Sequence, residues 1–122
     1  MTERSRAPSF VLDMLDHARY VVSFTDRVDR EAFEADLEKQ FAVVRALEVI
    51  GEAAKNIPDS VKDTNTDVPW KKMYSLRNSI SHEYFGIDYE IIWEIATKQL
   101  PTNKKQIEQI ITQLNNTNET TN

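Results

Sequence analysis

Apolar residues recur along this chain at steps of three and four, the spacing that lines one face of a helix. The first such run predicts a helix over 8–25. Phe10, Val11, Met14, Leu15, Ala18, Val21 and Val22 form its stripe, and Pro8 suits an early helical position. Residues 26–29 are polar, and Asp29 is placed to cap a second helix. That helix is predicted over 30–56, with Phe33, Leu37, Phe41, Val44, Leu47, Ile50 and Ala54 on its apolar face. Gly51 inside it costs about 1 kcal/mol relative to alanine, which points to close approach of another helix. Pro58 ends the run.

A loop with room for one short helical turn is expected over 58–68. Pro69 then opens a third helix with Trp70, Met73, Tyr74, Leu76 and Ile80 as apolar members, and Gly86 is a natural stop. Asp88 can cap a fourth helix carrying Ile91, Ile92, Ile95 and Leu100. Pro101 marks either a new helix start or a kink. Helical spacing continues over 102–114 through Ile107, Ile110, Ile111 and Leu114. From Asn115 onward only Asn, Thr and Glu occur, a composition that favours disorder. No internal repeat and no strand pattern appears. The expected organisation is an N-terminal tail over 1–7, one all-α domain over 8–114, and a disordered polar tail over 115–122. The domain reads as an antiparallel bundle of four to five helices.

Composition agrees with this. A chain of 122 residues holds one domain and one core. With two Gly and four Pro it is poor in the residues that many tight turns require. The absence of Cys excludes disulfides, thiolate metal sites and cysteine nucleophiles. Two histidines, His17 and His82, do not make a multi-histidine metal site within one chain. No metal or other cofactor is therefore expected. No apolar run reaches the length of a membrane span, and the N-terminal residues lack the apolar stretch of a signal peptide. A cytoplasmic protein without a membrane role is expected. The formal net charge is −5, the opposite of a generic nucleic-acid coater. If this chain acts on RNA, binding must come from a local site or from a partner.

The chemistry is concentrated in Leu76-Arg77-Asn78-Ser79-Ile80-Ser81-His82-Glu83-Tyr84-Phe85-Gly86. Arg77, Asn78, His82 and Tyr84 sit where a helix gives way to a loop, a place from which a rigid element can aim groups at an open mouth. Asn78 and His82 are an i, i+4 pair. Arg77 and His82 are separated by about 140° around a helix. Three arrangements bring them to one phosphate: a long arginine reaching round, a helix loosened near Ser81, or the same element from a second chain. Arg, Asn and His without a metal suit RNA cleavage. A neutral His takes the proton of the ribose 2′-OH. Arg stabilises the charge that builds on the non-bridging oxygens. One His cannot easily serve both sides of the phosphorus in a single step, and a twofold dimer removes that difficulty.

The segment resembles the Arg-Asn-x-x-x-His signature of the HEPN superfamily. Its extension, His82-Glu83-Tyr84, resembles the His-x-Tyr ending of the HepT (DUF86-type) branch. The flanking words occur in the order that family uses: Gly51-Glu52-Ala53-Ala54, Val68-Pro69-Trp70, Tyr84-Phe85-Gly86-Ile87-Asp88 and Ile92-Trp93. The likeness covers roughly residues 8–114. It implies a helical bundle that forms a homodimer or higher homo-oligomer, with two motifs facing one cleft. It implies a metal-independent RNase toxin whose catalytic residues are Arg77 and His82, supported by Asn78. It also implies a partner, an MntA-like minimal nucleotidyltransferase antitoxin, which silences the toxin by transferring AMP to Tyr84. An anion there would fill the cleft and compete for Arg77 and His82. Transfer RNA is the substrate class suggested at the level of the family.

Plainer readings stand beside these. Arg77 can serve an ion pair, with Glu52 as a candidate, and Asn78 a hydrogen bond at the helix end. His82 can be a satisfied histidine near a helix C-terminus. Tyr84 can be a packed aromatic with a bonded hydroxyl. Trp70, Trp93, Phe85 and Tyr89 read as packing, His17 as structural, and Lys71 and Lys72 as a solvated face. Two other functions fit the chain less well. A non-catalytic HEPN module that docks a nucleotidyltransferase or nucleic acid would not need Arg77, Asn78 and His82 together. A histidine phosphotransfer bundle would suffer from Glu83 beside the phosphorylated His82.

Overall fold

The structure, a computed structural model, describes residues 9–81 and 88–120, with backbone only at 77–81 and 117–120. These residues are all-helical: α1 Ser9–Thr25, α2 Arg30–Ala35, α3 Leu37–Lys55, α4 Asp59–Thr64, α5 Trp70–Ser81, α6 Tyr89–Glu94 and α7 Leu100–Thr120. A π-helical turn, Ile95–Gln99, joins α6 to α7. The long helices pack in the order α5, α3, α1, α7, so α3 and α1 lie inside. Their stripes supply the core. Val11, Met14, Ala18 and Val21 of α1 meet Val43, Leu47 and Ile50 of α3, with Met73 and Leu76 from α5 and Ile107 and Ile110 from α7. Gly51 is buried on α3, as expected of a helix with neighbours packed against it.

Two helix starts follow their predicted caps. Asp29 Oδ1 accepts from the Ala32 N–H at 2.8 Å. Asp88 Oδ1 accepts from the N–H groups of Glu90 at 3.0 Å and Ile91 at 3.3 Å. Arg30 at the head of α2 reaches Glu90 on α6 at 2.9 Å, which ties these two starts together. Glu90, and after it Glu34, raise the pKa of this exposed guanidinium above its ordinary value.

The expected helix over 30–56 is two helices. Asp36 leaves the helical region (φ −112°, ψ 91°), and its side chain caps α3 through the Lys39 N–H at 3.0 Å. The break strands carbonyls at the end of α2. Gln40, 4% exposed, donates its amide to the carbonyls of Phe33 and Glu34, both at 2.8 Å. A short polar side chain competing for backbone groups explains why the pattern splits here. Gln40 occupies the interior in place of Phe41. Leu37 and Phe41, both expected on the apolar face, are 58% and 56% exposed. Phe10 and Ile91 are exposed as well.

We expect Gln40→Leu to destabilise the fold by about 1–3 kcal/mol, because the Glu34 carbonyl loses its donor and the Phe33 carbonyl keeps only the Asp36 N–H. The check is the urea midpoint at unchanged m-value. A midpoint equal to that of the parent chain would show the carbonyls to be satisfied without Gln40.

Pro101 proves to be the second residue of a helix that follows a widened turn. Lacking an N–H, and clashing with the carbonyl four residues back, proline cannot continue a regular helix. The preceding turn opens to i→i−5 geometry, with the Leu100 N–H bonded to the Ile95 carbonyl. Thr97 Oγ1 bonds the Trp93 carbonyl at 2.7 Å within this turn. Beyond it, an amide chain centred on the buried Asn103 fixes α7. Gln99 donates to Asn103 at 3.1 Å, Asn103 to Gln106 at 3.1 Å, and Gln106 to the Asp67 carbonyl at 3.1 Å. The backbone of α7 stays helical to Thr120, past the end expected at 114.

Candidate active site

The chemistry-bearing residues fall on and after α5. Val68, Pro69 and Trp70 set the start of this helix. Val68 is buried, the Pro69 carbonyl accepts from the Met73 N–H at 2.9 Å, and Trp70 Nε1 donates to the Asn65 carbonyl at 2.9 Å. Asn65 is itself buried, its side chain bonded to the Val61 carbonyl at 2.9 Å. Met73 and Leu76 press α5 onto the core. The helix is therefore held along its first two turns, and its last turn carries the motif.

Arg77 and Asn78 lie on α5. In register, Arg77 comes one turn after the buried Met73, and Asn78 one turn after Tyr74, which is 38% exposed. Their side chains lie outside the described residues. So do His82 and Tyr84 entirely, with Glu83, Phe85 and Gly86, and the expected helix stop at Gly86 with them. The backbone is helical through Ser81 and resumes at the Asp88 cap, which brackets the segment 82–87 between two defined ends.

The surroundings are clearer. Between α5 and the α6–π segment lies an open groove of about 430 Å³, bordered by Lys72, Ser75, Leu76, Ile91, Glu94 and Lys98. Lys98 is paired with Glu94 at 2.7 Å. A second open groove of about 430 Å³ runs between α1 and α3, lined by Phe10, Asp13, Arg45, Glu48 and Glu52. Glu52 belongs to the Gly51-Glu52-Ala53-Ala54 word. Among the described residues no group of His, Cys, Asp and Glu is arranged to hold a metal ion.

Trp70, Tyr89 and Trp93 pack against the core, and the Trp93 ring lies 5.2 Å from that of Phe33. His17 is engaged within its own helix, Nδ1 donating to the Asp13 carbonyl at 2.8 Å and the ring edge-on to Tyr20 at 5.1 Å. Tyr74 departs from its expected apolar role and stands partly in solvent.

A family model described as "Ribonuclease HepT-like" matches residues 14–110, from the first turns of α1 into α7. The chain belongs to the HepT-like ribonuclease family. Relatives span most of this HepT-like chain. A Methanocaldococcus jannaschii protein named "Putative RNase MJ0127" is 44% identical over 103 residues, covering 84% of this chain and 85% of its own. The Thermococcus cleftensis "Probable ribonuclease HepT" is 36% identical over 101 residues, covering 83% and 92%. A Caldanaerobacter subterraneus protein, "Putative RNase TTE0752", is 37% identical over 98 residues, covering 80% and 88%. No solved structure matches the chain. The matched span of this HepT-like protein contains the whole of α5 and the Arg77-to-Tyr84 motif. No helix among the described residues is long and apolar enough to cross a membrane.

Proposed function

We propose that this protein is a metal-independent HEPN-type endoribonuclease acting as the toxin of a toxin–antitoxin pair. The observation that carries the reading is the family match over 14–110, which spans the Arg77-x4-His82 motif at the end of a helix anchored to the core. In this reading a neutral His82 accepts the 2′-OH proton as the 2′-oxygen attacks phosphorus. Arg77 stabilises the charge on the non-bridging oxygens. The bond to the 5′-oxygen breaks, that oxygen takes a proton from an imidazolium, and a 2′,3′-cyclic phosphate remains. Two subunits sharing a cleft supply both imidazoles, so the homodimer is part of the proposal. Asn78, one turn before His82, orients it.

Tyr84 is the regulatory residue. A minimal nucleotidyltransferase antitoxin of the MntA type transfers AMP to it. The tyrosine oxygen attacks the α-phosphorus of ATP, loses its proton, and pyrophosphate leaves. The added anion occupies the groups that would hold the RNA phosphate.

The purified chain is expected to cleave RNA in the presence of a chelator, and expression without its partner to arrest growth. An absence of cleavage in any RNA pool, together with harmless expression, would overturn the enzyme reading. It would leave a HEPN module that docks its partner without catalysis.

A further inference from the structure

α5 differs from every other α-helix of the described residues in its charge. The chain has 20 acidic residues, yet Trp70–Ser81 contains none, while it carries Lys71, Lys72 and Arg77. In a protein of net charge −5 this is a local inversion of sign, placed on the element that bears the motif. Lys71 and Lys72 are exposed, and among the described residues neither pairs with a carboxylate. The two lysines fall on different sides of the helix. Lys72 borders the groove toward α6. Lys71 is three residues before Tyr74 and seven before Asn78, the i, i+3, i+7 spacing of one helical stripe. That stripe extends about 10 Å along the axis.

Tyr74 is the aromatic member of this stripe. Met73 and Leu76 already hold α5 on the core, so burying Tyr74 is not needed to seat the helix. It shares no ring contact with another described aromatic, unlike His17, Tyr20, Phe24, Phe33 and Trp93. A cation and a partly exposed ring, one turn apart, match the repeating chemistry of a single nucleic-acid strand, with phosphate beside base.

We propose that Lys71 and Tyr74 form a positioning track for single-stranded RNA. Lys71 meets a backbone phosphate and Tyr74 stacks an unpaired base, and the strand runs along α5 toward the Arg77–Asn78 turn. The inference rests on the ribonuclease reading for its substrate class and adds that the substrate must present unpaired nucleotides. Charge complementarity selects the occupant. A helix that carries cations and no acids, on an otherwise acidic protein, fits a polyanion better than a second copy of the chain.

The test uses the full chain with His82→Ala, so that RNA survives, and a labelled single-stranded A/U oligonucleotide of about ten nucleotides, a length that one such site covers. Anisotropy titrations compare Tyr74→Ala, Tyr74→Phe and Lys71→Gln in that background. Tyr74→Ala is expected to weaken binding by roughly five- to 150-fold, and Tyr74→Phe to retain it, since the ring is what stacks. Tyr74→Leu keeps the apolar bulk and serves if the alanine variant fails to fold. Lys71→Gln is expected to lower the slope of log affinity against log salt by about 0.7. A duplex of the same length should bind without dependence on Tyr74. Equal affinity of Tyr74→Ala and its parent overturns the track. So does a loss of affinity accompanied by a smaller assembly in sedimentation, because Tyr74 would then be a subunit contact. Cleavage assays on the chain with His82 intact separate the two ideas. RNA cleaved with KM unchanged by Tyr74→Ala removes the track and leaves the ribonuclease. Tyr74-dependent binding without cleavage removes the ribonuclease and leaves the track.

Discussion

His82→Ala is expected to lower RNA cleavage by roughly 10²- to 10⁴-fold, the contribution typical of a positioned general acid–base, and to relieve the growth arrest proposed for the parent chain. The chain has no Cys and only two histidines. His17 stands on α1, a different helix from the motif, with Nδ1 bonded to the Asp13 carbonyl and its ring against Tyr20. His82 follows directly on α5, whose last turn also bears Arg77 and Asn78. His17→Ala is the matched control and should leave cleavage within a few-fold of the parent. Circular dichroism and sedimentation on both variants separate chemistry from folding or assembly. If His82→Ala stays toxic and cleaves RNA at the parental rate, the catalytic assignment fails.

Tyr84→Phe is expected to abolish AMP acceptance while leaving RNA cleavage close to that of the parent. The reason is chemical: phenylalanine keeps the ring and removes the oxygen that attacks ATP. Co-expression with the proposed nucleotidyltransferase partner should protect cells from the parent chain but not from this variant. Intact-mass measurement after incubation with that enzyme and ATP gives the direct readout. One added AMP on the parent and none on Tyr84→Phe is the expected pair of spectra. An adduct that persists on Tyr84→Phe places the modification on another residue, with Tyr20, Tyr74 and Tyr89 the remaining tyrosines. Tyr89 packs against the core and Tyr74 is partly exposed, so peptide mapping would discriminate between them.

The helical architecture was legible because its signals are local. The stripe of α1, the caps at Asp29 and Asp88, and the opening at Pro69 each depend on residues within a few positions. The family likeness was legible for the same reason, since it rests on short words in order. The break at Asp36 was not. Phe33, Leu37 and Phe41 continue a helical spacing through it, and the competing fact is that Gln40 reaches back to two carbonyls once the chain has bent. Pro101 was readable as a disturbance, but whether it starts a helix or kinks one was open, and the chain resolves it with a π turn, Ile95–Gln99, ahead of α7. Tyr74 was misplaced because periodicity assigns a residue to a side of a helix without saying how wide the covered side is.

By itself the sequence predicted an all-helical protein of the HepT-like kind, and it singled out Arg77, Asn78, His82 and Tyr84 as the candidate reactive group. Only the tertiary structure decided that α3 and α1 lie inside while α5 and α7 flank them. It also decided that Leu37, Phe41 and Ile91 face solvent, and that Tyr74 on the motif helix is partly exposed beside an exposed Lys71. The physical reason is the range of the forces involved. Helix formation and capping are settled between neighbours a turn apart, whereas burial depends on which distant surface arrives to exclude water.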